Sequence, residues 1–194
     1  TDPEPLARFA KLLDMEESML KDVIRHVLNM CDKDMAFLDQ TLSPGILNQM
    51  EVISKCDFVR MTYTDAIDIL TQAVADGQVF EESTIKWGMD LASEHEKYIV
   101  DLYGVPVFLT HYPQDLKSFY MKADEDCTIE RRTCQAVDLL VPGIGELCGG
   151  SMREDDPDKL IGVMDKKGVP TDELEWYIDL RRDGGLPTGG FGLG

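Results

Sequence analysis

The sequence predicts an α+β domain in which helices pack against a mostly antiparallel sheet. Apolar residues recur at three- and four-residue steps through the first third of the chain, which is helical spacing. After Gly104, runs rich in β-branched and aromatic residues follow one another closely. Connections that short suit antiparallel pairing, because a parallel crossover needs about a dozen residues or more. The change of character at Gly104 divides the chain into a helical part, residues 1–103, and a sheet part, residues 104–194.

Leu20, Ile24, Val27, Leu28, Cys31, Met35 and Leu38 lay one apolar stripe along a first helix, and Met15 and Met19 extend it backwards. Ser43-Pro44 reads as a cap and first-turn pair for a helix through Ile46, Leu47, Met50 and Ile53. Phe58 to Tyr63 alternates as a short strand, and Thr64 is placed to cap a helix through Ile67 and Leu70. Ala75 to Glu82 reads as a loop. Ser93 and Glu96 have capping-box spacing for a helix to Tyr103. Glu94-His95-Glu96 lacks the second histidine of a zinc-binding HExxH helix and reads as solvated surface. Val105–Tyr112, Leu116–Lys122, Cys134–Val141 and Ile144–Met152 read as strands. Asp156-Pro157 opens a helix closed by Gly168, and Thr171 starts another. The glycine-rich end reads as a flexible tail.

The 194 residues suffice for one substantial core. With 19 basic and 37 acidic residues the net charge is −18, which argues against a free-standing nucleic-acid binder or an anionic-membrane binder. An apolar content of 43% argues against disorder. No stretch approaches the roughly 20 apolar residues of a membrane span, and the N-terminus lacks a signal pattern. The five cysteines are odd in number and form no CxxC, so a reduced, cytoplasmic protein is expected.

The richest chemistry lies between Asp138 and Arg153. Asp138 sits among apolar strand residues, and Glu146 follows a Pro142-Gly143 turn. If the flanking strands pair, both carboxylates reach one space, where they repel unless a cation neutralises them. Mg²⁺ carried by a nucleotide polyphosphate suits such a pair. Spacing alone leaves a second reading open: two surface charges at strand ends. Gly149 and Gly150 offer close backbone approach to a ligand or, equally, a β-bulge. Arg153 offers a fork for a carboxylate, amide or phosphate, or a surface ion pair. Around Ser151 the sequence nearly matches GxSxG, but Arg153 replaces the last glycine and no histidine follows, so a serine hydrolase is rejected. The terminal glycines lack GK[ST] and are spaced GxGxG, which fits neither a P-loop nor a dinucleotide fingerprint.

Pro106–Pro113, Leu116–Met121 and Asp138–Glu154, with Pro-Gly-Ile-Gly-Glu-Leu and Gly-Gly-Ser-Met-Arg-Glu, resemble the catalytic domain of asparaginyl-tRNA synthetases. Trp87–Leu91, Ser93–Glu96, Trp176–Arg182 and Gly190–Gly194 are similar to the same family, the last approaching class II motif 3. The resemblance implies a class II antiparallel sheet flanked by helices, with ATP and asparagine as substrates and an asparaginyl-adenylate on the way to tRNA. It implies that Asp138 and Glu146 hold Mg²⁺ and ATP phosphates. Arg153 would recognise the amino-acid side chain, and Ser151, Gly149 and Gly150 would line that pocket. Gly190, Gly192 and Gly194 would pack under the nucleoside. No side chain is implied as a nucleophile, since the substrate carboxylate attacks the α-phosphate.

Motif 1, the motif 2 arginine, the end of motif 3 and the anticodon-binding domain are not found in this sequence. Asp2-Pro3-Glu4 stands where the tail of motif 2 is expected. The resemblance therefore implies the C-terminal part of the catalytic domain of a longer, homodimeric enzyme that meets its tRNA mainly elsewhere. Two alternatives are a tRNA-independent asparagine-synthetase paralogue and a non-catalytic binding module.

Overall fold

Phe9, Leu12, Leu13, Leu20 and Ile24 form one buried face of the first helix, α1 (Pro3–Met30). The computed structural model describes residues 3–128 and 130–194, with side chains from residue 7 onward, so the expected motif 2 tail begins outside the described residues. Met15 does not extend the stripe: it is 64% exposed. It lies five residues from Leu20, about 140° round the helix. Its place on the buried face goes to Glu16, which has no exposed surface. The stripe also breaks at Cys31, where α2 (Asp32–Thr41) begins with Asp32 and Asp34 in its first turn.

Helix α3 (Ile46–Ile53) starts at Gly45, with φ of 91°, rather than at Ser43, because Asp39 accepts from the amides of Gly45 and Leu47. Strand β1 (Val59–Thr62) leads into α4 (Tyr63–Ala75). Thr62, rather than Thr64, is the cap, in a capping box with Asp65. In α5 (Ser93–Tyr103) the cap also differs from expectation. His95 Nδ1 accepts the Ala92 amide at 3.1 Å, and Nε2 meets the Glu82 carbonyl at 3.0 Å. These partners assign the proton to Nε2. His95 is wholly buried, and the Glu94 carboxylate accepts the amides of Glu81 and Glu82. This segment is therefore a bolt between α5 and the preceding loop, where solvated surface was expected.

The sheet continues with β2 (Val107–Pro113), β3 (Thr133–Val141), β4 (Gly145–Met152) and β5 (Gly189–Leu193), in the order β1-β2-β3-β4-β5. It is mixed: β1 pairs with β2 in parallel through the α4–α5 crossover, and the other pairs are antiparallel. Two expectations fail here. Leu116–Lys122 forms no strand, only a turn and an isolated bridge between Met121 and Arg153. The glycine-rich end is not a free tail but β5, paired with β4 along its length.

Helices α4 and α5 cover one face of the sheet through Ala66, Leu70, Ile99, Leu109 and Leu140. Helices α1 and α3 cover the other through Leu12, Ile53, Phe108, Val137 and Leu139. A third cluster joins α6 (Pro157–Lys167), capped by Asp156 and Gly168, to α7 (Glu175–Arg182).

Candidate functional site

Two β-bulges build the site. In an antiparallel ladder side chains alternate faces, so one extra residue on a strand turns everything beyond it over. Asp138 pairs with Leu109 on one side and Gly149 on the other. Along β4, Leu139 pairs with Cys148 but Leu140 pairs with Glu146, leaving Leu147 as the extra residue. That slip puts Glu146 on the face of Asp138. Along β2, Thr110 pairs with Val137 but Tyr112 pairs with Cys134, so the single residue His111 stands opposite two residues of β3, Gln135 and Ala136. His111 takes φ of 54°, with its Nδ1 2.9 Å from Asp124 Oδ2. This second slip puts Tyr112 on the face of Asp138.

The two carboxylates converge. A Cβ on Gly149 would lie 2.9 Å from Glu146 Oε1 and 3.5 Å from Asp138 Oδ1. The other oxygen of Asp138 is held by Lys117, whose Nζ lies 2.5 Å from Oδ2 and 3.8 Å from the centre of the Tyr112 ring. Glu96 of α5 faces the same space. Burial, together with the charges of Glu146 and Asp138, pushes its carboxyl up to about 7. Glu146 is raised by burial and by Asp138, with Lys117 acting in the opposite sense. Tyr112 is held well above its usual value, chiefly by burial and then by Asp138. A cleft of about 470 Å³ opens beside the pair, lined by Ser93, Glu96, Gly145 and Glu146 among others.

Next to the carboxylates the sheet face is almost bare. Gly149 pairs with Gly192, and Ser151 pairs with Gly190, so backbone forms the surface across β4 and β5. Beyond β5, the Gly194 amide donates to Leu147 O and continues the ladder. Gly150 departs from its expected place beside Gly149. Its missing side chain faces the opposite side, where a Cβ would come within 2.8 Å of Phe191 Cβ and 3.0 Å of the Gly190 carbonyl. Close strand packing requires that glycine. Arg153 closes the far end. Its Nη1 donates to Ser151 Oγ at 2.8 Å and its Nη2 to the Gly190 carbonyl at 3.3 Å, and the guanidinium lies 4.7 Å from the Tyr120 ring centre. Ser151 is fully buried beneath it.

The structure thus brings together Asp138, Glu146, Gly149, Ser151, Arg153, Gly190 and Gly192 on one face. Sequence reasoning missed Lys117, Tyr112 and Glu96. Lysine and glutamate read as solvated residues, and neither bulge leaves a sequence signal strong enough to reverse a face. Among the described residues no three His, Cys, Asp or Glu side chains gather into a metal-ligand set, so the protein itself offers a cation two carboxylates. No helix among them is long and apolar enough to cross a membrane.

Comparison with known proteins agrees with this geometry. Asparagine–tRNA ligase of Mycoplasma capricolum is 43% identical over 98% of this chain and 42% of its own length. A crystal structure of asparaginyl-tRNA synthetase from Pyrococcus horikoshii, complexed with asparaginyl-adenylate, superposes with a TM-score of 0.81 at 32% identity. It covers 96% of this chain and 39% of that one. Aspartyl-tRNA synthetase from Entamoeba histolytica, at 21% identity, shares the fold with a TM-score of 0.75. The chain therefore spans about two fifths of the length of these relatives. The family of class II tRNA synthetases for D, K and N matches residues 6–194, and this chain belongs to it.

Proposed function

We infer that the chain is part of the catalytic domain of an asparagine–tRNA ligase, which activates asparagine with ATP and passes it to tRNA. The observation that carries this reading is the convergence of Asp138 Oδ1 and Glu146 Oε1 beside a strip of bare glycine backbone, with a braced arginine at its end. Two carboxylates with a flat, side-chain-free floor suit a purine nucleotide whose phosphates arrive with a divalent cation. Asp138 and Glu146 would hold Mg²⁺, and the ion would offset charge developing on the phosphates. The residues fit such an ion: one oxygen of each carboxylate lies within 3.5 Å of the same point above Gly149, and their combined negative charge calls for a cation.

The protein's own part is positioning. Gly190, Gly192 and Gly194 let the nucleoside lie against backbone. Arg153 is held by Ser151 Oγ and Gly190 O, which leaves the outer edge of its fork for the side-chain oxygen of the amino acid. The substrate carboxylate then attacks the α-phosphate and pyrophosphate leaves. In the whole protein we place a homodimer, cytoplasmic location and a tRNA contact mainly outside this segment; the resemblance supports each.

An arginine fork accepts a carboxylate as readily as an amide oxygen, so the choice of asparagine over aspartate needs its own test. Amino-acid-dependent ATP–pyrophosphate exchange on the full-length protein supplies it. Exchange with asparagine is expected; exchange with aspartate alone overturns the substrate assignment.

A further inference from the structure

We propose that Lys117 is the built-in cation of the acidic site, which keeps free divalent metal out until it arrives with a nucleotide. The proposal rests on the reading of Asp138 and Glu146 as the cation's ligands.

The placement of Lys117 is overdetermined. Its ammonium lies 2.5 Å from Asp138 Oδ2 and 3.8 Å from the ring centre of Tyr112, itself turned inward by the register slip at His111. Its backbone is pinned from α6: Lys167 Nζ donates to the carbonyls of Lys117 at 2.8 Å and Asp115 at 3.1 Å. Lys166 pairs with Asp115 at 2.7 Å. The lysine side chain is 20% exposed and that of Asp138 is 9% exposed, so water screens the pair weakly.

That geometry divides Asp138 between two tasks. Oδ2 is taken by Lys117, and Oδ1 faces Glu146 Oε1 across Gly149. A bare ion would find two carboxylate oxygens and, beside them, a fixed positive charge. Two carboxylates hold Mg²⁺ poorly without phosphate oxygens. A unit charge a few ångströms away lowers divalent affinity by about tenfold or more. A nucleotide polyphosphate supplies the missing oxygens and enough negative charge to outweigh the lysine. With Lys117 gone, Asp138, Glu146 and Glu96 lose their shared counter-ion, and a free metal ion becomes the best replacement.

Mn²⁺ binding to the full-length protein, read by electron paramagnetic resonance with and without a non-hydrolysable ATP analogue, tests this. The signal is scored as the part abolished by Glu146→Gln, which removes binding elsewhere on an acidic surface. Wild type is expected to hold Mn²⁺ there weakly by itself and tightly with the nucleotide. Lys117→Met and the more polar Lys117→Gln should each bind nucleotide-free Mn²⁺ about tenfold or more tightly than wild type. Lys117→Arg should restore the wild-type pattern. Unchanged or weaker nucleotide-free binding in both neutral variants overturns the proposal and leaves the Asp138–Glu146 reading intact. Absence of Glu146-dependent Mn²⁺ in wild type with nucleotide overturns that reading, and the proposal with it.

Discussion

Glu146 and Asp138 share one face of the sheet because the β3–β4 ladder slips by one residue at Leu147. In an unbroken ladder Leu140 would face Leu147, and Glu146 would point toward α1. The bulge converts a surface acid into the second arm of a carboxylate pair. The glycine opposite Asp138 leaves room for that arm.

Gly149 and Gly150 should therefore respond differently to alanine. At Gly149 the new Cβ meets the ends of two flexible side chains, Glu146 and Asp138. The fold should survive with a stability change under about 1 kcal/mol while exchange activity falls sharply. At Gly150 it meets the backbone and Cβ of β5, and overpacking of about 1–3 kcal/mol is expected. Thermal midpoints and exchange rates, measured side by side, separate the two effects. Equal midpoints for the two variants would contradict the facing assigned here.

Glu16 carries a pH dependence. Its carboxyl is fully buried on α1, both oxygens lack a hydrogen-bond partner of good geometry, and the Cys148 thiol is its polar neighbour. Burial raises it from 4.5 to about 7. The fold accepts the neutral form, so the group's favourable contribution is complete below about pH 4.5. That contribution is lost as pH rises through about 7, because the unfolded chain ionises first. The full swing is about 3 kcal/mol. Glu16→Met should thus gain stability over wild type progressively from pH 5 to pH 8, read as a growing gap between urea midpoints. A gap independent of pH would show that Glu16 does not titrate in the folded core.

Arg153→Lys keeps the charge and loses the fork. A lysine cannot hold Ser151 Oγ and Gly190 O and still present a planar edge. The KM for the amino acid should rise about 10- to 100-fold, with the KM for ATP nearly unchanged. Steady-state exchange at varied asparagine and varied ATP checks the split.

How far the sequence discloses this molecule depends on whether the signal is local. The cap of α6 at Asp156 and Gly168 and the strands of Cys134–Val141 and Ile144–Met152 follow from spacing and turn residues alone. Spacing leaves Asp138 and Glu146 open between a pair and two surface charges, and only the family resemblance favours the pair, because the slip at Leu147 is not written in the local sequence. What failed depends on tertiary partners. Met15 and Glu16 exchange places because the buried face of α1 is set by what α1 packs against. His95 reads as surface, yet it is buried because the Glu82 carbonyl and the Ala92 amide satisfy both ring nitrogens. The terminal glycines lack strand propensity and form β5 only because β4 offers an edge. Lys117 reads as part of a strand, Leu116–Lys122; a turn pinned by Lys167 aims it at Asp138 instead.

The role proposed for Glu146 and Asp138 is to hold, together, the cation of a nucleotide. ATP–pyrophosphate exchange with asparagine, compared between the full-length protein and its Glu146→Gln variant across a Mg²⁺ titration, tests it most directly. A loss of about 100-fold or more is predicted, with an unchanged circular dichroism spectrum and thermal midpoint, since glutamine keeps the size and shape of the glutamate side chain. Exchange at the wild-type rate and with the wild-type Mg²⁺ dependence would contradict it.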